Sequence, residues 1–325
     1  MTILVTGVAG FIGYHVTERL LARGDAVLGI DNVNDYYDVR LKEARLARLA
    51  GKKGFQFQKL DIADHEAFAK AAAKAGIKRV VHLAAQAGVR YSLTHPFAYV
   101  HANLTGHMAV LEACRRIDGF ENLVYASSSS VYGGNTKLPF AIEDRVDTPV
   151  SLYAATKRAD ELMSYCYSHL YRLPQTGLRF FTVYGPWGRP DMALYIFTRQ
   201  ILAGEPIQVF NRGDMKRDFT FIDDIVTGVV AALDNPPRTT GSEPPQRLYN
   251  IGNHQSEPLL RLISVLEDAI GRKAKLELAP MQPGDVKETF ADISAIERDL
   301  GYRPTTPIDV GVPRFVDWYK SYHGR

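Results

Sequence analysis

Cysteine is scarce in this sequence of 325 residues, which contains only Cys114 and Cys166. Two cysteines so far apart build neither a disulfide framework nor a paired-cysteine metal site. Both lie in stretches with helical periodicity, so we expect them to be buried free thiols. The nine histidines show no spacing typical of metal ligands, and no metal site is predicted.

A strong charge of one sign and a long apolar run are also missing. The 39 basic and 36 acidic residues give a formal charge of +3, without any run of Lys and Arg. This balance suits a small anionic ligand and is unlike the basic surface of a nucleic-acid-binding protein. No apolar run reaches the roughly 18 residues that a membrane span needs, and no signal-like segment precedes the first predicted strand. We therefore expect a cytoplasmic protein that binds neither nucleic acid nor a membrane.

The first 180 residues show a regular alternation of short apolar segments and longer amphipathic ones. The predicted strands are residues 3–5, 26–30, 55–59, 80–83, 123–126 and 176–180. The predicted helices between them include residues 11–22, 65–75 and 100–116. This alternation predicts an α/β fold of the Rossmann type, a doubly wound parallel sheet with helices on both faces.

The character of the chain changes after Phe181, where Pro and Gly become frequent and the predicted elements become shorter. We predict a dinucleotide-binding domain over residues 1–181 and a smaller, mixed α/β lobe over residues 182–325 that binds the substrate. Residues 217–251, with a predicted helix at 223–233, are expected to return to the first domain.

Three glycines, Gly7, Gly10 and Gly13, lie between the first predicted strand and the first predicted helix. Such a turn lets backbone amides and the helix N-terminus approach a pyrophosphate. The next strand ends in Asp31, 18 residues after Gly13, where a carboxylate binds both ribose hydroxyls and repels a 2′-phosphate. NAD is therefore expected rather than NADP. Asp61, after the third strand, suits either an adenine contact or the N-cap of a helix that starts near residue 63.

Tyr153 and Lys157 lie one turn apart on the same face of a predicted helix. Free tyrosine, with a pKa of about 10, is a poor base at neutral pH, but a nearby ammonium group favours the phenolate. Residues 127–130 are four consecutive serines that follow the fifth strand, where such sheets bind ligands, and one of them is expected to hold the substrate oxygen. An isolated tyrosine of this kind is more often an interfacial residue. The glycine turn and the serine run favour a catalytic role.

Several motifs together resemble the extended short-chain dehydrogenase/reductase family, which contains NAD-dependent nucleotide-sugar epimerases, dehydratases and decarboxylases. They are the Gly-x-x-Gly-x-x-Gly spacing, the Tyr-x-x-x-Lys pair, and residues 82–85, 127–133, 217–219 and 283–285. The resemblance implies that Ser128 holds the substrate oxygen, Arg217 binds the diphosphate and Asp285 binds the uridine ribose. The chain departs from galactose-type epimerases at Gln282, where they usually have an arginine. The resemblance also implies a tightly bound NAD that is contacted by Phe11, Ile12, Asn32, Ile62, Leu83, Ala84, Ala85 and Tyr184.

Residues 129 and 130 bear on the type of reaction. Dehydratases of the family have Thr-Asp-Glu immediately before a Val-Tyr-Gly motif, and the related decarboxylases have Glu in the last of these positions. This chain resembles neither, because it has Ser129 and Ser130 there. Without a carboxyl group, elimination of water has no acid/base pair. The resemblance therefore favours return of the hydride to the opposite face of the sugar, which is epimerisation.

Three longer segments, residues 31–37, 86–92 and 179–193, closely resemble UDP-glucuronate 4-epimerases. That resemblance implies a UDP-sugar substrate whose carboxylate is bound by Ser129, Ser130, Thr182 and Arg189. A guanidinium group can bind a carboxylate in a bidentate manner, although an arginine in a Gly/Pro-rich loop suits the protein surface equally well. Arg90 is expected either to contact the substrate or to form a structural pair.

Three alternatives remain open at this point. A UDP-glucuronate decarboxylase is disfavoured by Ser130, and a neutral UDP-hexose 4-epimerase is disfavoured by Arg189. A catalytically inactive dinucleotide sensor is disfavoured by the intact set of Ser128, Tyr153 and Lys157. The predicted helices at residues 100–116 and 152–171 can form the four-helix interface of a homodimer that is common in the family.

Overall fold

A parallel sheet of seven strands lies at the centre of the computed structural model, which describes residues 2–238, 241–282 and 286–324. The strands of these ranges are β1 (Thr2–Thr6), β2 (Ala26–Asp31), β3 (Phe55–Lys59), β4 (Ile77–His82), β5 (Asn122–Ser128), β6 (Gln175–Phe180), β7 (Thr182–Tyr184), β8 (Pro206–Val209), β9 (Lys216–Phe221), β10 (Gln246–Ile251), β11 (Ser256–Pro258) and β12 (Lys275–Leu278). The central sheet has the order β10-β6-β5-β4-β1-β2-β3, and its neighbouring strands are parallel. This is the Rossmann strand order with β10 added at one edge, and it confirms the predicted fold class.

Helices cover both faces of this sheet. The α-helices of the described ranges are α1 (Phe11–Ala22), α2 (Val39–Leu49), α3 (His65–Lys74), α4 (Tyr91–Thr94), α5 (Pro96–Tyr99), α6 (Gly106–Arg115), α7 (Leu152–Tyr171), α8 (Ala193–Ala203), α9 (Ile222–Asp234), α10 (Leu259–Ile270), α11 (Ser294–Leu300) and α12 (Ile308–Tyr322). Helices α1 and α9 pack together on one face, and α3, α6 and α7 lie on the other. Across the described part of the chain, no helix is long and apolar enough to span a membrane.

The alternation of side chains along β1 shows why both faces need a helical cover. Ile3 and Val5 lie in the core beneath α1 and α9, whereas Leu4 lies in the core beneath α3 and α6. All three side chains are completely buried. A strand that is apolar on both sides is typical of a parallel sheet between two helical layers.

The chain after β6 builds two smaller sheets and also returns to the central one. Strands β7, β9 and β11 form a three-stranded sheet, and β8 pairs with β12. The chain between β9 and β11 returns to the central sheet. There, α9 packs against α1, and β10 pairs with β6 along its whole length. Two cavities are lined both by the carboxyl ends of the parallel strands and by residues that follow β6.

The helix predicted over residues 100–116 is not a single α-helix. A π-helical turn at Val100–Thr105 joins α5 to α6. The buried side chain of Asn103 in this turn accepts a hydrogen bond from the Gln86 amide and donates one to the Gln86 carbonyl oxygen. It also donates to Thr156 Oγ1 at 3.0 Å, which links the turn to α7. Such turns are frequent at functional sites, and apolar periodicity does not distinguish them from an α-helix.

Two other expectations from the sequence are wrong. Cys114 is buried as expected, but Cys166 is exposed because it lies on the outward face of α7. Asp61 is not a helix N-cap, because α3 begins only at His65, where Asp64 accepts a hydrogen bond from the Ala67 amide.

Candidate active site

The glycine turn between β1 and α1 has no room for a side chain at Gly7 or at Gly13. Gly7 has a φ of +73°, and a Cβ there would lie 2.7 Å from the backbone nitrogen of Ala84. A Cβ at Gly13 would lie 2.1 Å from the carbonyl oxygen of Gly7. The turn therefore packs tightly against the loop after β4, and the first residues of α1 form part of a cavity wall. This geometry lets a dinucleotide pyrophosphate approach the backbone amides.

Asp31 ends β2 and braces the glycine turn. Its Oδ2 accepts a hydrogen bond from the Ala9 amide at 3.0 Å, and its Oδ1 accepts one from the Val33 amide at 2.8 Å. Burial raises the pKa of Asp31. Each carboxylate oxygen can accept more than one hydrogen bond. Because Asp31 lines the cavity, it can therefore hold the turn and still accept ribose hydroxyls.

Lys42 on α2 is a cation of this cavity that the sequence analysis missed. Its Nζ donates to the carbonyl oxygen and to Oδ1 of Asn34, at 2.7 and 2.6 Å. The residue is only 6% exposed, and burial lowers the pKa of its ammonium group. A lysine in an amphipathic helix is ordinarily expected to face solvent, so the sequence pattern gave no reason to place it here.

The other predicted cofactor residues, with one exception, line the same cavity, which has a volume of about 260 Å³. They are Gly10, Phe11, Ile12, Asn32, Asp61, Ile62, Leu83, Ala84 and Ala85. Asp61 is oriented by hydrogen bonds from the Ala63 amide at 2.9 Å and from Asn32 Nδ2 at 3.1 Å. Its carboxylate is therefore fixed at the cavity wall, where an adenine contact stays a prediction.

Tyr184 is the exception, because its side chain does not line the cavity, and its contact with the cofactor stays a prediction. The ring is 4% exposed and packs edge-on against Phe219 and Phe221 of β9. Pairing of β7 with β9 directs this aromatic ring into the core. Val183, the preceding residue, lines the cavity instead.

Tyr153, Lys157 and Ser128 all line the cofactor cavity, and Tyr153 and Ser128 also line a second, larger one. Helix α7 begins at Leu152, where Ser151 Oγ accepts a hydrogen bond from the Ala154 amide at 3.1 Å. This cap fixes the start of the helix, so Tyr153 and Lys157 project from its first two turns. Ser128 is the last residue of β5. The structure thus brings Tyr153 and Ser128 to the boundary between the cavities, with Lys157 in the wall of the cofactor cavity.

Lys157 is held from two sides. Its Nζ donates to the carbonyl oxygen of Ala126 at 3.0 Å and pairs with Asp160 Oδ2 at 3.1 Å. Burial, together with the charge of Lys157, lowers the pKa of nearby His82 to about 3. His82 is therefore neutral at physiological pH and adds no second positive charge beside the lysine.

A buried ion pair behind the serine run was not assigned from the sequence. Arg179 donates from Nε and Nη2 to the two carboxylate oxygens of Glu161, at 2.8 and 2.9 Å. Ser127 Oγ donates to the same carboxylate at 2.6 Å, and Arg179 Nη1 donates to the Tyr132 hydroxyl at 3.0 Å. Burial alone would raise the pKa of Glu161, but its partners lower it. Both ends of the turn that carries Ser128 are therefore attached to one ion pair.

The second cavity has a volume of about 890 Å³, within the range of small-molecule sites. The predicted substrate residues that the structure describes all line it: Ser128, Ser129, Ser130, Tyr153, Thr182, Arg189, Arg217 and Arg90. Asp285 lies outside the described residues. The Arg90 guanidinium lies 4.8 Å from the centre of the Phe210 ring, and Arg217 Nη1 donates to the carbonyl oxygen of Lys287 at 3.1 Å. The individual roles of these side chains in binding stay predictions.

Arg189 lies in the wall shared by the two cavities. Its side chain is 23% exposed, so it is not the free surface arginine that the loop sequence also allowed. Its Nε and Nη2 donate to the two carboxylate oxygens of Asp191, at 3.0 and 2.5 Å. The Tyr36 hydroxyl donates to Asp191 Oδ2 at 3.0 Å. The neighbouring Asp191 therefore fixes the guanidinium, and Nη1 is the nitrogen that does not bind this acid.

These features define a Rossmann-type enzyme with a dinucleotide cavity, a Tyr-x-x-x-Lys pair at its edge and an adjoining cavity lined by arginines. The model of the NAD dependent epimerase/dehydratase family matches residues 3–252. The chain belongs to this family, as its motifs indicated.

Several proteins are similar to this chain over almost its whole length. UDP-glucuronate 4-epimerase 4 of Arabidopsis thaliana is 50% identical over 333 residues, which cover 99% of this chain and 76% of the plant protein. The crystal structure of UDP-glucuronic acid 4-epimerase from Bacillus cereus with UDP-glucuronic acid and NAD has a TM-score of 0.90 at 36% identity, and covers 99% of this chain and 100% of that one. UDP-glucose 4-epimerase of Thermotoga maritima with UDP-glucose has a TM-score of 0.88 at 28% identity, with the same coverage.

Proposed function

We propose that this protein is an isomerase that interconverts UDP-glucuronic acid and UDP-galacturonic acid by NAD-dependent epimerisation at carbon 4. The observation that carries the proposal is the position of Arg189, which lines both cavities together with Tyr153. A guanidinium in this place can bind the sugar carboxylate while the tyrosine reaches the oxygen on carbon 4. The Arabidopsis and Bacillus relatives carry the name of this activity.

The cofactor is NAD. The glycine turn fits a dinucleotide because any Cβ at Gly7 or Gly13 would collide with neighbouring backbone, and Asp31 disfavours a 2′-phosphate. When bound, NAD supplies the hydride acceptor that oxidation at carbon 4 needs. The cycle as a whole is redox-neutral, so the purified protein is expected to retain its cofactor.

Tyr153 is the base that removes the proton of the 4-hydroxyl. Lys157, fixed by Ala126 and Asp160, places an ammonium group one helical turn from the tyrosine. Ser128 holds the same substrate oxygen by a hydrogen bond from its hydroxyl. These proposed roles are supported by the position of Tyr153 and Ser128 at the boundary of the cavities, with Lys157 in the wall of the cofactor cavity.

Retention of the carboxylate is the second requirement of this reaction. A ketone at carbon 4 makes the sugar a β-keto acid, which loses carbon dioxide readily. Ser129, Ser130, Thr182 and Arg189 line the cavity and contribute three neutral hydroxyls and one guanidinium to its wall. We propose that this group fixes the carboxylate, and that the absence of carboxyl side chains at positions 129 and 130 prevents elimination.

The ion pair between Arg189 and Asp191 favours a second candidate, a neutral UDP-hexose 4-epimerase. Asp191 occupies two of the guanidinium nitrogens and neutralises their charge locally. A substrate carboxylate must share Arg189 with this acid or displace it, whereas a neutral sugar needs neither. The Thermotoga relative is named for a UDP-glucose activity.

Arg189→Ala distinguishes the two candidates. We expect the variant to lose about 1.5–3 kcal/mol of binding free energy for UDP-glucuronic acid, the usual contribution of a hydrogen bond to a charged group. Affinity for UDP-glucose should change much less. Calorimetric titration of both sugars, with NMR of the wild-type product, provides the measurement. Mass spectrometry of the variant's products should also be searched for a 4-keto-pentose, which would show that the carboxylate is no longer protected.

Arg199→Ala is the matched control, because Arg199 is exposed on α8 and lines neither cavity. Its affinity for both sugars should equal that of the wild type. Equal losses for both sugars in Arg189→Ala would contradict the proposed carboxylate site and would assign Arg189 to the diphosphate or to the loop. Arg90 would then be the next candidate for the carboxylate.

Asp31→Ala should reduce the NAD content of the purified protein. The change removes the proposed ribose ligand and also two hydrogen bonds that hold the backbone of Ala9 and Val33. We expect the affinity for NAD to fall about tenfold or more, as for the loss of a charged hydrogen bond. Nucleotide released by denaturation can be quantified by chromatography. Tighter binding of NADPH than of NADH by the wild type would show that the role given to Asp31 is wrong.

We further propose a homodimer formed through α7. Leu162, Tyr165 and Cys166 form an exposed stripe at helical spacing, and Leu162 and Tyr165 are 52% and 51% exposed. Phe97, on the neighbouring α5, is 84% exposed. Contiguous apolar exposure of this kind is typical of subunit interfaces.

Light scattering tests this arrangement. The wild type should have twice the 36.2 kDa mass of the chain, and Leu162→Lys should shift it toward the monomer. Leu278→Lys, which changes a 61% exposed leucine on β12, should leave the dimer intact. A monomeric wild type would refute the interface.

We also propose that the enzyme is cytoplasmic, as expected from the sequence. Cys114 and Cys166 are free thiols, the form that a reducing compartment maintains. Fractionation of cells that express the full chain tests this location.

A further inference from the structure

Arg45 on α2 is completely buried, although arginine is a residue that rarely leaves the surface. Its guanidinium makes hydrogen bonds to neutral oxygens in three separate segments. Nη1 donates to the carbonyl oxygen of Ala9 at 2.8 Å and to the Tyr37 hydroxyl at 2.7 Å. On the other side, Nη2 donates to the carbonyl oxygens of Trp187 and Gly188, at 2.6 and 3.3 Å. Nε donates to Trp187 as well, at 3.2 Å.

Two of the three segments that Arg45 joins are binding elements of the site. Ala9 belongs to the glycine turn of the cofactor cavity, and its amide is already held by Asp31. Trp187 and Gly188 immediately precede Arg189 in the sequence. A planar guanidinium can bind acceptors along more than one of its edges. A single side chain therefore fixes the cofactor turn and the Arg189 loop at a defined separation.

The backbone of the Arg189 loop needs such support. Trp187 has a φ of +62°, in the left-handed region that residues other than glycine seldom adopt. Strain of this kind persists where surrounding contacts over-determine the conformation. Arg45 binds the carbonyl oxygens of Trp187 itself and of Gly188, and His15 Nε2 lies 2.9 Å from the Pro186 carbonyl oxygen on the other side. Both supports come from helices of the cofactor-binding half of the chain.

We propose that Arg45 is a positioning residue that sets Arg189 relative to the cofactor turn and thereby determines the preference for a carboxylated sugar. This inference rests on the proposed function, in which Arg189 binds the carboxylate. The alternative is a purely structural arginine that stabilises the fold without influencing the choice of substrate. The two differ in whether the loss of Arg45 affects acidic and neutral UDP-sugars unequally.

Arg45→Met, studied as the cofactor-loaded full chain, separates these roles. The methionine keeps an unbranched stem but removes the hydrogen bonds to Trp187 and Gly188. Titration calorimetry should show that affinity for UDP-glucuronic acid falls about tenfold. This loss is smaller than that expected when the charged hydrogen bond is lost altogether. Affinity for UDP-glucose should change by no more than about twofold, which is much less than the change that the loss of a charged contact causes. Arg40→Met is the matched control, since Arg40 lies on the same helix with its side chain 84% exposed.

A double-mutant cycle adds a readout that a structural role would not move. If Arg45 acts through Arg189, then Arg45→Met should cause no further loss of UDP-glucuronic acid affinity in an Arg189→Ala background. Arg45→Lys keeps the buried charge, but one ammonium group cannot reach both the cofactor turn and the Arg189 loop. It should therefore fold and show a smaller loss of preference, which keeps the test valid if the methionine variant does not fold.

Two outcomes would overturn the positioning role alone. One is an equal loss of affinity for both sugars in Arg45→Met and Arg45→Lys, with conversion of UDP-glucuronic acid by the wild type intact. The other is full additivity of the Arg45 and Arg189 changes. A wild type that neither binds nor converts UDP-glucuronic acid would instead overturn the proposed function, and the positioning role would fall with it.

Discussion

Tyr153→Phe should lower turnover of UDP-glucuronic acid by about 100- to 10,000-fold, the usual effect of losing a positioned acid/base group. The reason is local. The phenol lies at the boundary of the two cavities, within one helical turn of Lys157, and phenylalanine keeps the ring but not the ionisable oxygen. The edge-on contact of the ring with Tyr99, at 6.0 Å between centroids, should survive the change. Affinity for the UDP-sugar should therefore remain close to that of the wild type.

Single-turnover kinetics and calorimetry on the same preparation separate the loss of chemistry from a loss of binding. Tyr165→Phe, the same substitution on the exposed face of α7, should leave both quantities unchanged. Turnover of Tyr153→Phe within tenfold of the wild type would assign the base elsewhere. A large loss of affinity would mean that the phenol binds substrate and does not only transfer a proton.

Glu161→Ala should lower the free energy of unfolding by about 3–5 kcal/mol, the range for breaking a buried ion pair. The change leaves the Arg179 guanidinium, 2% exposed, without the carboxylate that accepts two of its hydrogen bonds. It also removes the acceptor of the Ser127 hydroxyl. We expect the turn that carries Ser128 to loosen, so that turnover falls along with stability.

Denaturant unfolding followed by fluorescence provides the measurement, with activity assayed at temperatures where the variant is still folded. Glu297→Ala is the control, because Glu297 on α11 pairs with Arg303 at 2.8 Å, with side chains 41% and 77% exposed. Exposed pairs of this type contribute about 0–1 kcal/mol. A loss of that small size in Glu161→Ala would show that Arg179 finds other acceptors in the core.

The parts of the fold that follow from local pattern were predictable from the sequence. The apolar strands give the sheet, since the inner strands are largely buried and the edge strand β3 is exposed. The predicted helix at residues 152–171 coincides with α7. The glycine turn was equally predictable from the sequence, because the conformation at Gly7 and the close contact at Gly13 exclude side chains. These features depend on neighbours in sequence, or on steric limits of the backbone.

Features that depend on distant partners were not predictable. Arg45 and Lys42 are charged residues, which are ordinarily expected to face solvent, and only the folded chain brings the carbonyl of Trp187 to Arg45. The burial of Tyr184 depends on β9 in the same way. Asp191 lies two residues from Arg189, yet their ion pair depends on the loop conformation around Trp187, which the sequence did not indicate.

The return of the chain to the central sheet determines how the protein can be divided. A fragment that stops after Phe181 would lack β10 and would leave β6 as an unpaired edge. It would also lack α9, whose Ile225 and Val229 are completely buried in the shared core. Open edges and uncovered apolar faces lead to aggregation. A fragment extended beyond Ile251 would contain the complete sheet and both of its helical layers. The smallest separable cofactor-binding unit therefore includes the chain segments that build β7, β8 and β9.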